Sequence, residues 1–406
     1  MFYITLFCFV AAILSFMYFF MLLIKKYILY DKMESVNLKL IISLSFTLLF
    51  WLSAYSLNAV YERIQNPYIN KTNGIEEYAG TFGDLIGGTL NPILALFGIV
   101  AAGLAFYAQY EANKQVQEQF KIQQFESQFF EMLRLHKENI SEMKITGYEV
   151  LIETSKERDT NGTLRSLTET YTNSIRVTEG RKVFVTMNTE LIACFELLQY
   201  FNNLWGCNIS QHFLLDLAYK FFFFGSKSEI VASENISPQV INIFRHELNK
   251  IRKFHKNSTG IKNTFTGLNN IEIKLHIKYL PFSGHENRLG HYYRHLYSTV
   301  KYVVNKEKQG LIDYNQARGY LKILRSQMSN DEQLLLYYNY IIGFGKDWEN
   351  DGFLTKYRML HNLPINSVKY VTNPRIHFQQ FIQSIKEDES ALFEWGDTSK
   401  HKISID

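Results

Sequence analysis

The sequence predicts a mainly α fold: N-terminal transmembrane helices, a long helical stalk and an all-helical cytoplasmic domain. Three observations predict it. Residues 2–24, 40–60 and 85–110 carry no charged side chain, and each run reaches the roughly 20 apolar residues that a helix needs to cross a bilayer. Behind the third run the composition turns polar, while apolar residues recur at Val116, Phe120, Phe129, Leu133, Ile140 and Met143. Those intervals are three, four or sums of them, as an amphipathic helix requires. Farther on, helical spacing dominates and regular strand alternation is scarce.

The first run ends at Lys25 and Lys26. A secretory signal needs a basic start and a shorter apolar core, so the run reads as a span. The second carries Trp51 and Tyr55, with Tyr61 just past its far end, where aromatic side chains prefer the headgroup layer. The loop between the two holds Lys25, Lys26, Lys32 and Lys39, whereas residues 61–83 hold only Arg63 and Lys71. Positive residues stay on the cytoplasmic side, which places the 61–83 loop outside and everything after the third span inside.

In the third run Ala95, Gly98, Ala102 and Ala105 are spaced three, four and three apart. That stacks small residues on one face and lets another helix approach closely, either a second span or the same helix of another copy in a homo-oligomer. Ordinary membrane composition is the alternative. Asp84 reads as an interfacial N-cap, or else as a buried ion-handling carboxylate. Pro92 then falls about two turns into the helix, where Gly87 and Gly88 ease a kink. A single helix over residues 80–143 would be about 90 Å long.

In the soluble part, polar residues 155–179 read as a loop with a short helix. Residues 181–204 and 211–224 read as two aromatic-rich helices separated by Gly206, and the run of four Phe is too short to span. Ser237-Pro238 opens a helix running to about His255, and Ser329-Asn330-Asp331-Glu332 is a capping box ahead of an apolar run. The expected organisation is two transmembrane helices with a short cytoplasmic loop over 1–60, an extracytoplasmic loop over 61–83, the third transmembrane helix continuing into the stalk over 84–145, a helical cytoplasmic domain over 146–390 and a flexible tail over 391–406.

Composition narrows the function. A formal charge of +4 on 406 residues is too small to point to nucleic acid by itself. Cys8, Cys194 and Cys207 have no zinc or disulfide spacing, and no phosphate loop, dinucleotide fingerprint, zinc-protease motif or nucleophile elbow occurs. No cofactor and no metal is therefore expected.

Several stretches resemble the phage abortive infection proteins, the AbiC-like family of bacteria. They are Gly83-Asp84-Leu85-Ile86-Gly87-Gly88-Thr89-Leu90-Asn91-Pro92 with the span behind it, Phe129-Phe130-Glu131-Met132-Leu133, Gly180-Arg181-Lys182-Val183-Phe184, Gly290-His291-Tyr292-Tyr293-Arg294-His295-Leu296-Tyr297, and Leu324-Arg325-Ser326-Gln327 with Glu332-Gln333-Leu334-Leu335-Leu336-Tyr337-Tyr338-Asn339. The chain departs from the family in having two hydrophobic segments before the Gly-Asp phrase where one is usual. The resemblance implies a role in antiphage defence and supplies no catalytic residue; the apolar runs and the lysines of the first loop add the bacterial inner membrane as the expected place, with the C-terminal domain cytoplasmic.

One stretch offers chemistry: His285-Glu286-Asn287-Arg288-Leu289-Gly290-His291-Tyr292-Tyr293-Arg294-His295. On a helix, Leu289, Tyr292, Tyr293, Leu296, Val300 and Val303 share a core face, with Arg288, His291 and His295 on its flank. His291 and His295 have the spacing of two metal ligands, without an identifiable third. The spacing of Arg288 and His295 resembles the Arg-x4-6-His motif of HEPN ribonucleases, in which Arg would stabilise phosphorane charge while His moves protons. The third reading makes these groups polar partners of carboxylates or of the stalk at a helix interface.

The function expected is a membrane-embedded abortive infection effector whose cytoplasmic domain senses infection and whose spans act on the bilayer. A phage trigger or a neighbouring defence protein would switch it. The alternative is a membrane-tethered ribonuclease using Arg288 and His295, with RNA as its substrate.

Overall fold

The computed structural model describes residues 75–158, 162, 164–230, 236–257, 264–267, 271–275, 277–386 and 389–394. The first two predicted spans, the loop between them, residues 61–74 of the predicted outer loop and residues 395–406 of the predicted tail lie outside the described residues. Those described are mainly helical, in the order α1 Ile75–Glu142, β1 Lys144–Arg158, β2 Leu164–Glu179, α2 Lys182–Trp205, α3 Gln211–Phe224, α4 Pro238–Asn257, β3 Thr264–Thr266, β4 Glu272–Lys274, α5 Glu286–Lys308, α6 Tyr314–Ser326 and α7 Asn330–Ile341. Short helices α8 Asp347–Asn350, α9 Pro374–His377 and α10 Gln379–Ser384 follow. The chain divides into two compact units, Met1–Glu111 and Ala112–Asp406.

In the first unit the described residues belong to the leading part of α1. This helix starts at Ile75, so Asp84 lies inside it and is not the N-cap that the sequence suggests. Helix continues through Pro92. Among the described residues α1 is the one helix long and apolar enough to cross a membrane, by length and composition. Gly83, Asp84, Gly88, Asn91, Ala95, Gly98, Ala102 and Ala105 are exposed on it, and a Cβ added at Gly98 would meet open space.

The second unit opens with the remainder of α1. Its packed face begins at Phe125 and continues through Phe129, His136, Ile140 and Met143 just past its end, all buried. Val116 and Phe120, which the spacing assigns to the same face, are 62% and 64% exposed. Apolar residues at helical spacing mark a face only where something covers it, and cover starts one turn after Phe120.

A larger correction concerns residues 155–179. In place of a loop with a short helix, β1 and β2 pair antiparallel from Lys144↔Glu179 to Arg158↔Leu164, with a register shift at Glu157/Arg158. The domain is thus not all-helical. Thr, Val, Ile and Tyr at alternate places suit strands, and their abundance of hydroxyls makes the segment read as polar loop. The base of this hairpin is fixed by the Tyr148 N–H, which donates to the Lys278 carbonyl at 2.8 Å.

The helix starts and stops follow local chemistry. Gly206 closes α2 in the left-handed region at φ 61°, which glycine adopts without strain. Capping boxes open α6 at Asp313/Gln316 and α7 at Ser329/Glu332, each satisfying two backbone N–H groups. The core is built from α2, α3, α5 and α7 and includes Phe184, Leu191, Phe195, Phe221, Leu296 and Leu335, all fully buried.

Candidate functional site

α5 sits where three parts of the second unit converge. Its predicted core face holds, since Leu289, Tyr292, Tyr293, Leu296, Val300 and Val303 are all buried. The entrance to α5 depends on a crossing of two glycines. Gly225 and Gly284 have φ 92° and 89°, and a Cβ on either would lie within 2.8 Å of the opposing loop's backbone, which reserves both places for glycine.

Just after that crossing lies a buried polar knot that the sequence does not single out. Glu190 of α2 accepts from the Tyr279 hydroxyl, the Phe282 N–H and His285 Nε2, the last at 2.7 Å. Both Glu190 and His285 are almost wholly buried. Burial, reinforced by the Glu190 charge, holds the Tyr279 phenol well above its usual range. A buried carboxyl group needs hydrogen-bond partners, and here the loop before α5 supplies three. The knot therefore ties that loop to α2.

On its flank α5 meets the end of α1. Arg288 Nε donates to the Lys144 carbonyl and His295 Nε2 to the Met132 carbonyl, both at 2.9 Å. A bond from Nε2 to a carbonyl places the ring proton on that nitrogen. His136, from α1, stacks on His295 with ring centroids 5.9 Å apart and tilts against Tyr292 at 5.4 Å. Tyr292 in turn donates to Glu332 at 2.9 Å, and Arg181 lies 3.5 Å from the same carboxylate. Burial raises the Glu332 carboxyl above its ordinary value, against the donors Tyr292 and Ser329. Farther back along α1, Phe125 and Phe129 pack on Tyr320 at 4.9 and 5.2 Å, and the Tyr320 hydroxyl donates to Glu126 at 2.6 Å.

The predicted candidates thus separate. Arg288 and His295 both reach backbone carbonyls at the end of α1 and the start of β1, which is the pairing with the stalk that the third reading describes. His291 is exposed, and among the described residues no group of three His, Cys, Asp or Glu could hold a metal ion. As site residues, Arg181, His136, Glu190 and Glu332 were missed. Arg181 and Glu332 had a signal, the first inside the 180–184 stretch and the second inside a capping box and the 332–339 stretch; His136 and Glu190 become visible only when distant segments meet.

Residues 284–368 match the family described as "Putative phage abortive infection protein". The match covers about a fifth of the chain and begins at Gly284, the glycine of the crossing. No curated protein and no solved structure matches. The matched segment contains α5, α6, α7 and the buried polar residues His285, Thr299, Arg325, Glu332, Gln333, Asn339 and Arg358. Two of the stretches quoted for the resemblance fall inside it, at 290–297 and 324–339. The Gly83-Asp84 phrase, residues 129–133 and residues 180–184 fall outside. The match supports a role in phage abortive infection.

Proposed function

We propose that the protein is a membrane-anchored abortive infection effector of the bacterial inner membrane, whose cytoplasmic helical domain senses infection and whose spans then act on the bilayer. The observation that carries this reading is in α1. The same helix holds the apolar run and, at its far end, the residues that pack on the abortive infection segment: Phe125 and Phe129 against Tyr320, and His136 against Tyr292 and His295. A change in that segment therefore falls on side chains of the helix that also carries the span. Ala95, Gly98, Ala102 and Ala105 form the packing face toward another membrane helix, and a homo-oligomer is the assembly this face suits. A phage product or a neighbouring defence protein supplies the trigger.

The test compares two substitutions in infected cultures. Ile99→Lys places a charge near mid-span at a cost of about 2.5 to 3.5 kcal/mol on insertion scales, and should abolish protection; protein level and membrane fraction are checked alongside. His295→Ala should keep protection in proportion to the protein present. Uptake of a membrane-impermeant dye is expected while total RNA stays intact. Fragmented RNA before any dye entry, lost in His295→Ala protein of normal abundance, would overturn this reading in favour of the ribonuclease.

A further inference from the structure

α4 is amphipathic in an unusual way. Its inner face, with Ile241, Phe244, Leu248 and Ile251, is buried in the core. Its outer face repeats at helical spacing through Ile243, His246, Lys250, Lys253 and Phe254, all exposed. Two of those five are large apolar side chains, 45% and 53% exposed, where a solvated face would carry polar groups. At the Ile243 end the patch widens onto α2. Trp205 and Leu204 are 40% and 42% exposed, and Trp205 is held by stacking on Phe201 and Phe244 at 5.1 and 6.0 Å. Trp205, Asn242, Ile243, His246 and Glu247 line a shallow depression of about 450 Å³.

The charge of this helix is one-sided. Arg245, Lys250, Arg252, Lys253 and Lys256 face a single acid, Glu247, and Lys250 neutralises that acid at 2.8 Å. Exposed Trp and aliphatic anchors rimmed by Lys are the features that seat a helix at a bilayer interface, with the rings among headgroups and the cations on anionic lipid. A nucleic acid would use the cations, but it has no place for Ile243 and Leu204, which an acyl boundary accepts.

We propose that the outer face of α4, with Leu204 and Trp205, docks on an anionic lipid surface. This rests on the membrane-anchored reading above and adds to it a second, reversible contact with the bilayer, one that depends on headgroup charge. Two lysines near an anionic leaflet are together worth roughly thirtyfold in the docking equilibrium, so the contact can be gained or lost as the leaflet or the domain changes.

The experiment uses the full chain reconstituted into vesicles of phosphatidylcholine alone or mixed with phosphatidylglycerol. An environment-sensitive fluorophore is attached at Ile243→Cys, with Cys8 and Cys207 changed to Ser; Cys194 is buried. A blue shift in the anionic vesicles only, quenched by spin-labelled lipid and reversed by salt or by Lys250→Gln with Lys253→Gln, is the expected result. The same emission in both vesicle types would overturn the docking. So would a shift produced by added RNA in neutral vesicles and not by anionic lipid. An alkaline carbonate wash reads the anchor separately: protein stripped from both vesicle types sinks the anchored reading, and the label then reports docking of protein added from outside by the same comparison.

Discussion

His136 is a buried polar residue whose chemistry fits its surroundings poorly. It is 1% exposed, its ring nitrogens have no hydrogen-bond partner among the described residues, and it faces His295 and Tyr292 on α5 with Arg181 and Glu332 near by. Burial first, with the charges of His295 and Arg181 behind it, lowers its pKa from 6.5 to about 4. Above pH 6.5 the ring is neutral folded or unfolded and contributes nothing to the pH dependence. As pH falls from 6.5 toward 4, the unfolded chain binds a proton that the folded chain refuses, so stability is lost over that window by up to roughly 3 kcal/mol and no further below it. His136→Phe keeps an aromatic ring in place without the proton site. The thermal midpoint of the purified chain should therefore fall less steeply between about pH 6.5 and 4 in the variant than in the parent. His255, His361 and His377 are lowered too, chiefly by burial, and leave a residual slope. A parental slope in the Phe variant would show that His136 is not the group refusing the proton. The sequence could not show any of this, because a histidine at position 136 gains its meaning from α5, more than a hundred residues away.

Among the elements, helices with clear ends were legible and the hairpin was not. The bounds expected for α2, α3 and α4 lie within two residues of those observed, because Gly206 and Ser237-Pro238 are local devices that act without tertiary help. The hairpin did carry one signal. Asn161-Gly162 is a dipeptide that favours hairpin turns, and Gly162 takes φ 77°, but the polar strands around it hide the alternation. Two glycines test how the elements are joined, with opposite signs. A Cβ at Gly147 of β1 would lie 1.9 Å from the Lys278 carbonyl oxygen, so Gly147→Ala must push the hairpin base away from residues 278 and 279, at a cost of about 1 to 3 kcal/mol. Gly319 lies inside α6 with open space around it, so Gly319→Ala should stabilise by about 0.5 to 1 kcal/mol. Denaturant unfolding followed by circular dichroism reads both. A neutral Gly147→Ala would mean that the hairpin base is not fixed against residue 278.

At the scale of the whole chain the membrane-anchored reading predicts which side of the bilayer each part occupies, and the argument there is one of charge. Lys25, Lys26, Lys32 and Lys39 crowd the loop between the first two apolar runs, against Arg63 and Lys71 in the longer stretch that follows. Positive side chains flanking spans resist transfer outward, so on the anchored reading three spans ending in α1 are expected to leave Ala112–Asp406 in the cytoplasm. The prediction is read with a membrane-impermeant maleimide on intact spheroplasts of a strain lacking Cys8 and Cys207. A cysteine at Asn73 should be labelled from outside, and one at Lys322, exposed on α6, only after the membrane is opened. Lys322 is the suitable position because α6 contributes no residue to the face proposed to meet lipid, so protection there reports the side of the membrane and not docking. Labelling of Lys322→Cys from outside with Asn73→Cys protected would invert the topology. It would place the abortive infection segment where no cytoplasmic trigger reaches it, and the sensing role assigned to that segment would fall with it.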